Sequence, residues 1–394
     1  MSRSRPTVVH VTTTDISLEL LLGTQLEAFV RAGFDVIGVS APGPYVAALE
    51  RRGIRHVPLE HATRSMAPTQ DVGAFGELIG IFRRLRPDIV HTHNPKPGVY
   101  GRIAARVASV PVIVNTVHGL YALPDDRAAK RALVYGLERV AAAFSHAELV
   151  QNPEDLVTLA RLRVPAAKLT LLGNGIDLDR FDPASVPAAG VERARRELGA
   201  RDPSDVVVGL VGRLVREKGY PEVFEAAHRL RERMPHLRFA VIGGADDEKS
   251  DALSAGDRAA AEAAGVRLLG ERDDVVALYR GMDIFVLASH REGFPRAAME
   301  AAAMGLPAVV TDIRGCRQVV ADEVTGLLVP ARDVVALERA IATLASDRDR
   351  RHAIGAAARA KALRQFDVNR CVDITLSTYH RLLDERGVRV SAAL

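Results

Sequence analysis

The sequence predicts an α/β protein made of two doubly wound domains, each a parallel sheet covered by helices. Three observations lead there. From Thr7 onward, short β-rich runs alternate with amphipathic helical segments, the order that puts helices on both faces of a parallel sheet. The chain has 394 residues, too many for one hydrophobic core and suited to two of near-equal size. Near its middle, Gly173-Asn174-Gly175 permits the positive backbone angles a hinge needs, and the alternation then starts again.

In the first half, Thr7–Thr12 reads as a strand, and residues 17–33 as its helix, with Ser17 the N-cap and Gly33 the C-cap. A strand at 34–40 is followed by a turn at Pro42-Gly43-Pro44, a short helix and a strand at 54–59. A helix from about Val72 to Leu85 must stop before Pro87, and the strands 88–94 and 111–119 follow. Residues 125–152 hold a helix and a further strand, and residues 184–204 a polar helix. The basic residues of that first helix invite a lipid-facing reading, but a solvated helix packed on the sheet is the simpler one.

In the second half, the strand 205–211 ends at Gly212-Arg213, and a helix begins near Gly219-Tyr220. Strands and helices alternate through 237–244, 254–265, 266–272 and 273–282. The apolar run Ile284–Ala288 reads as a buried strand, and a helix from Pro295 to Met304 follows it. Residues 308–320 carry Gly315 in a loop, and residues 325–330 with helices running to about Asp384 complete the domain.

Composition narrows the function. Apolar residues at 48% and charged residues at 26% are those of an ordinary folded enzyme, which removes disordered and fibrous classes. A formal charge of +4, no zinc-finger spacing, no basic helix and no tryptophan argue against nucleic acid. Cys316 and Cys371 are the only cysteines, so neither a disulfide framework nor a cysteine metal cluster is expected, and a reducing cytoplasm fits. Arg3 and Arg5 precede only the strand-like Val8-Val9-His10-Val11, not a signal peptide. No apolar run reaches the roughly eighteen residues of a membrane span, so any membrane contact must be peripheral, at the inner face.

Several polar residues fall at strand ends, where open α/β sheets bind ligands. His91 and His93, two apart on one strand, share a face and invite a metal, yet the local sequence supplies no third ligand and no metal is expected. Lys96, just beyond, is placed to meet an anionic acceptor, with His93 nearby; His118 closes the next strand. Arg213 and Lys218 flank one strand-to-helix loop, a planar fork and a point charge suited to phosphate oxygens. Glu292 lies in a loop and Glu300 on the following helix, so both carboxylates can accept bonds from the vicinal hydroxyls of one ligand. Asp177-Leu178-Asp179 reads as a linker turn rather than a metal site.

Glu292-Gly293-Phe294-Pro295, the second acid at Glu300, the following Ala-x-x-x-Gly-x-Pro and the Gly212-Arg213-x5-Gly219 spacing resemble the donor site of the family 4 retaining glycosyltransferases, of GT-B architecture. The resemblance implies two Rossmann-like domains facing each other across a cleft. It implies an acceptor-side domain at 1–176, a nucleotide-sugar domain at 177–367 and a final segment, 368–394, crossing back to the first. Arg213 and Lys218 would hold a diphosphate, Glu300 a ribose, and Glu292 with the Gly293-Phe294-Pro295 backbone the sugar, with His118 beside it. The catalytic set is thus His118, Glu292, Arg213 and Lys218. Family members often carry a glycine pair in the first loop, where this chain has Thr12-Thr13-Thr14-Asp15, and glutamate where Gln318 stands.

The implied reaction moves a hexose or N-acetylhexosamine, with retention, from a nucleotide diphosphate sugar to an acceptor hydroxyl. UDP is expected before GDP, no tightly bound cofactor or metal is required, and the acceptor is a glycan or a lipid-linked or cell-surface polysaccharide precursor. The leaving phosphate oxygen can take the acceptor's proton. A nucleotide-sugar 2-epimerase of the same architecture and a non-catalytic nucleotide-sugar-binding subunit are the alternatives.

Overall fold

A computed structural model describes residues 5–64, 67–93, 95–122, 126–246, 249 and 251–388. Arg3 and Asn94 lie outside them. The chain divides into two compact units, Met1–Asn174 with Val368–Leu394, and Gly175–Asp367.

The first unit runs β1 (Thr7–Thr14), α1 (Gly23–Arg31), β2 (Asp35–Ala41), α2 (Val46–Arg51), β3 (Arg55–Pro58), α3 (Pro68–Leu85), β4 (Ile89–His93) and α4 (Lys96–Val107). It continues with β5 (Val112–Val117), α5 (Ala128–Ala142), β6 (Ala147–Val150), α6 (Pro153–Arg161) and β7 (Leu169–Leu171). The sheet is parallel, in the order β3-β2-β1-β4-β5-β6-β7. Its central strands read as near-continuous apolar runs because both faces are covered; β4 and β5 are buried along their whole length. Local sequence sets the ends. Asn152 caps α6 by accepting the Glu154 N–H at 2.9 Å, and Gly33, at φ 90°, ends α1.

Helix boundaries depart from expectation at three places, the third at the helix that follows Pro295. Ser17 is not an N-cap: residues 17–21 form a π-helical stretch ahead of α1, and Asp15 instead accepts from the N–H groups of Ile16 and Tyr45, at 2.8 and 2.7 Å. The polar helix at 184–204 shortens to α7 (Ala188–Glu197), because Gly199 takes φ 103° and Pro203 follows.

The second unit opens with α7 and continues β8 (Val206–Val211), α8 (Tyr220–Arg233), β9 (Leu237–Ile242), α9 (Ala255–Ala263), β10 (Val266–Leu268), α10 (Val275–Gly281) and β11 (Ile284–Leu287). Then come α11 (Arg296–Ala303), β12 (Ala308–Thr311), α12 (Arg314–Val319), β13 (Gly326–Val329), α13 (Val334–Ser346) and α14 (Arg348–Gln365). The sheet is again parallel, ordered β10-β9-β8-β11-β12-β13. In each sheet the order reverses once, between β1 and β4 and between β8 and β11, and ligands of open sheets bind at the carboxyl end of such a reversal. Pro295 precedes α11 as its N-cap rather than lying in its first turn.

The last helix, α15 (Val368–Glu385), belongs to the first unit. Its Tyr379 is fully buried between Phe29 and Phe34, with ring centroids at 5.6 and 5.8 Å, and its hydroxyl meets His91 Nδ1 at 2.5 Å. Tyr379→Ala would remove this anchor and leave a cavity. It should destabilise the first unit by about 3–5 kcal/mol, read as a lowered denaturant midpoint.

Candidate active site

In the second unit, every strand end at the reversal carries a polar group, and packing drives those groups together. Gly219 makes one close approach. It sits at φ 72°, and a Cβ there would lie 2.0 Å from the Ala288 carbonyl oxygen. Without a side chain, the start of α8 abuts the end of β11, and this brings Lys218 Nζ to 2.6 Å from Glu292 Oε1. A Cβ on Gly315 would fall 2.5 Å from the Glu292 carbonyl oxygen, so α12 closes on the same loop from its other side.

That loop is tied down along its length. Ser289 Oγ donates to Glu292 Oε1 at 2.8 Å, and Thr311 Oγ1 donates to the Ser289 carbonyl at 2.5 Å. The His290 N–H donates to the Glu217 carbonyl at 2.8 Å, while its ring meets Glu222 at 2.7 Å. Glu292 therefore keeps one orientation, an acid and a cation in contact at a sheet reversal. Phe294 packs edge-on against Phe366 at 6.0 Å, so its side chain serves the core and leaves only backbone for a ligand.

Glu300 lies one helical turn into α11 and is mostly buried, its side chain 14% exposed. Tyr279, from α10, donates its hydroxyl to Glu300 Oε2 at 3.0 Å, and Arg296 stands 3.9 Å from Oε1. Burial pushes the Glu300 carboxyl up from its ordinary value, and the Arg296 charge and the Tyr279 hydrogen bond pull it back only in part. Arg213 leaves the end of β8 with its side chain 47% exposed and is paired with Asp246, which is 8% exposed. Tyr220 fixes this strand end by donating to the Gly212 carbonyl at 2.7 Å. Asp177 accepts from the N–H groups of Asp179 and Arg180, at 3.1 and 3.0 Å, as a linker turn does.

In the first unit, the reversal is occupied by histidines. His10 pairs in register with His91 across β1 and β4, and His10, His91 and His93 bring ring nitrogens within 4.8 Å of one another. The spacing would admit a cation, but the nitrogens already have partners. His10 Nδ1 meets His93 Nε2 at 3.1 Å, and His93 Nδ1 meets His118 Nε2 at 2.9 Å. His91 joins Thr116 at 2.7 Å and Tyr379 at 2.5 Å. Burial holds these imidazoles neutral: His10 falls to about 3, His118 to about 4, and His91 and His93 drop well below the ordinary value.

The acceptor-side expectations for the first unit are corrected on two points. His93 is 4% exposed and sits behind His118, so it can act only by fixing the tautomer that His118 presents. Lys96 is not a displayed cation. It donates to the Thr63 carbonyl and hydroxyl, both at 3.0 Å, and forms an ion pair with Asp71, its side chain 11% exposed. His10, Tyr279, Ser289 and Asp246 carry no motif and were not singled out by sequence. For His10 and Tyr279 the available signal was a lone polar residue within an apolar strand or helix, which must find a partner when buried; Ser289 and Asp246 lie in loops and offered none.

Comparison with known proteins shows the family. The family model for glycosyl transferases group 1 matches residues 191–361, and that for glycosyltransferase family 4 matches residues 19–180. An Escherichia coli enzyme, UDP-Gal:alpha-D-GlcNAc-diphosphoundecaprenol alpha-1,3-galactosyltransferase, is 32% identical over 290 residues, 72% of this chain and 73% of its own. This chain belongs to glycosyltransferase family 4. The capsular polysaccharide biosynthesis glycosyltransferase CapM of Staphylococcus aureus is 27% identical over 386 residues, 96% of this chain and 98% of its own. HepE of Anabaena, solved in complex with UDP and glucose, superposes with a TM-score of 0.80 at 19% identity, covering 96% of this chain and all of that one. That likeness establishes the GT-B fold of this glycosyltransferase, two Rossmann-like α/β domains.

The neutral histidines give the glycosyltransferase a pH signature. Unfolded histidine protonates near 6.5, whereas the buried rings resist, so the unfolded state binds more protons below that pH and stability falls as pH falls. Each such histidine should remove up to about 1.4 kcal/mol per pH unit between about pH 6.5 and its folded value. The melting temperature should drop steeply from pH 7 to pH 5, and H10Q should make that slope shallower.

Proposed function

We propose that the enzyme transfers a hexose or N-acetylhexosamine, with retention of configuration, from a nucleotide diphosphate sugar to a hydroxyl of a lipid-linked or cell-surface polysaccharide precursor. The observation that carries the donor side is the contact of Lys218 with Glu292 at the β8/β11 reversal, with Glu300 one turn into the next helix. UDP is favoured as carrier, in keeping with the UDP bound by HepE and the UDP-Gal used by the E. coli relative. The diphosphoundecaprenol in that relative's name and the capsular role of CapM support the acceptor class.

The roles follow from charge. As the bond between the anomeric carbon and the phosphate oxygen breaks, its electron pair stays on the diphosphate. Lys218 and Arg213 then exchange their carboxylate partners, Glu292 and Asp246, for phosphate oxygens whose charge is growing. Glu292, released from the ammonium, accepts from sugar hydroxyls alongside the Gly293-Phe294-Pro295 backbone. Glu300, with Oε2 held by Tyr279, offers Oε1 to the ribose. His118, neutral at physiological pH, hydrogen-bonds a sugar hydroxyl without adding positive charge next to an oxocarbenium-like centre. The acceptor oxygen bonds the anomeric carbon, and its proton passes to the departing phosphate oxygen. No protein base is needed.

A screen of nucleotide release from candidate UDP- and GDP-sugars, with and without acceptor, tests the reading. With the donor so found, Lys218→Ala and Glu300→Ala should each cost about 3 kcal/mol of transition-state stabilisation, on the order of a hundredfold in rate. Near-normal turnover in both variants would contradict the assignment. Tyr279→Phe should raise the donor KM about fivefold while leaving kcat nearly intact, because it frees Glu300 without removing it.

A further inference from the structure

Helix α5 presents an apolar face with no cover. Leu133 is 63% exposed, Val140 55% and Leu137 43%, and the exposed small residues Ala129, Ala132 and Gly136 continue the same stripe. At about 100° per residue these six side chains fall within a sector of roughly 140°. Large apolar residues left outside in such a row, rather than singly, mark a contact surface.

The charges around the stripe say what kind of surface it meets. Lys130 lies along one edge and Arg139 along the other, with Arg127 at the amino-terminal end. The one acid of α5, Glu138, points the opposite way. It is buried, 6% exposed, and bound to the equally buried Arg102 at 2.7 Å. Asp126, just before the helix, pairs with Lys130 at 2.7 Å, which leaves the exposed side with a cationic excess. Tyr121, 53% exposed, lies under the Lys130 ammonium at 5.4 Å and adds an aromatic ring of the kind that settles at headgroup level.

We infer that α5 is a peripheral docking helix for an anionic phospholipid surface, its Leu133–Leu137–Val140 stripe entering the acyl boundary while Arg127 and Arg139 meet phosphate headgroups. A protein partner would need an acidic rim around an apolar groove. A bilayer supplies both components everywhere, and its fluid surface needs no shape complementarity to a convex helix. This goes beyond the proposed transfer reaction and does not depend on which acceptor the enzyme uses.

The test is sedimentation of the full chain with phosphatidylcholine vesicles containing roughly one third phosphatidylglycerol, against vesicles of phosphatidylcholine alone. The wild type should bind the anionic vesicles, with binding weakened by salt. L133S/L137S/V140S should bind at least about tenfold more weakly, with only a small fall in melting temperature because roughly half of each side chain is already exposed. R127Q/R139Q should lose the preference for anionic vesicles. Absence of wild-type binding, or equal binding by the triple variant, would overturn the inference. So would a wild-type dimer in sedimentation equilibrium that the triple variant dissolves, since a second copy would then cover the stripe.

Discussion

Gly219 has no side chain, and the Ala288 carbonyl oxygen occupies the place where one would begin. This contact sets the distance between the first turn of α8 and the end of β11, and the meeting of Lys218 with Glu292 depends on it. Any larger residue would push the helix outward and carry Lys218 away from Glu292. The same logic recurs at Gly315, where α12 closes on the Glu292 backbone. Two missing side chains thus convert a sheet reversal into a rigid seat in which an acid and a cation touch.

The charges in that seat are already matched without a ligand. Lys218 rests on Glu292 and Arg213 on Asp246, so no cation is left uncompensated in a partly desolvated place. Under the proposed transfer, a diphosphate would compete for the cations with two negative groups of its own, and the freed carboxylates would become acceptors for hydroxyls. Binding would then be an exchange of partners that strengthens as charge moves onto the departing phosphate. Glu300 follows a different rule: burial works against its ionised form, and Tyr279 holds it in place by one oxygen.

The first unit solves a different problem at the same topological position. Its reversal holds buried histidines whose rings hydrogen-bond in series from His10 through His93 to His118. Neutral imidazole donates through one nitrogen and accepts through the other, so each ring's tautomer constrains the next. The series ends at the one member that is only partly buried, His118, which lies just past the end of β5. Tyr379, 288 residues from His91 and 369 from His10 in sequence, closes the other end by reaching both.

The alternation of apolar runs and amphipathic helices was enough to determine a doubly wound α/β chain, because parallel strands buried on both faces leave an unmistakable composition. Short-range spacing also placed Arg213, Lys218 and Glu292 in strand-to-helix loops and Glu300 on the helix that follows, since each lies within a few residues of a strand or helix boundary that Gly or Pro marks. What spacing could not supply was partnership. That Lys96 is occupied by Asp71 and Thr63, that His93 is enclosed behind His118, and that Tyr279 holds Glu300 are consequences of elements packing across tens or hundreds of residues. A side chain's type and strand position are local properties, written in the sequence. Whether its charge faces a ligand or a neighbour is decided only when the helices close over the sheet.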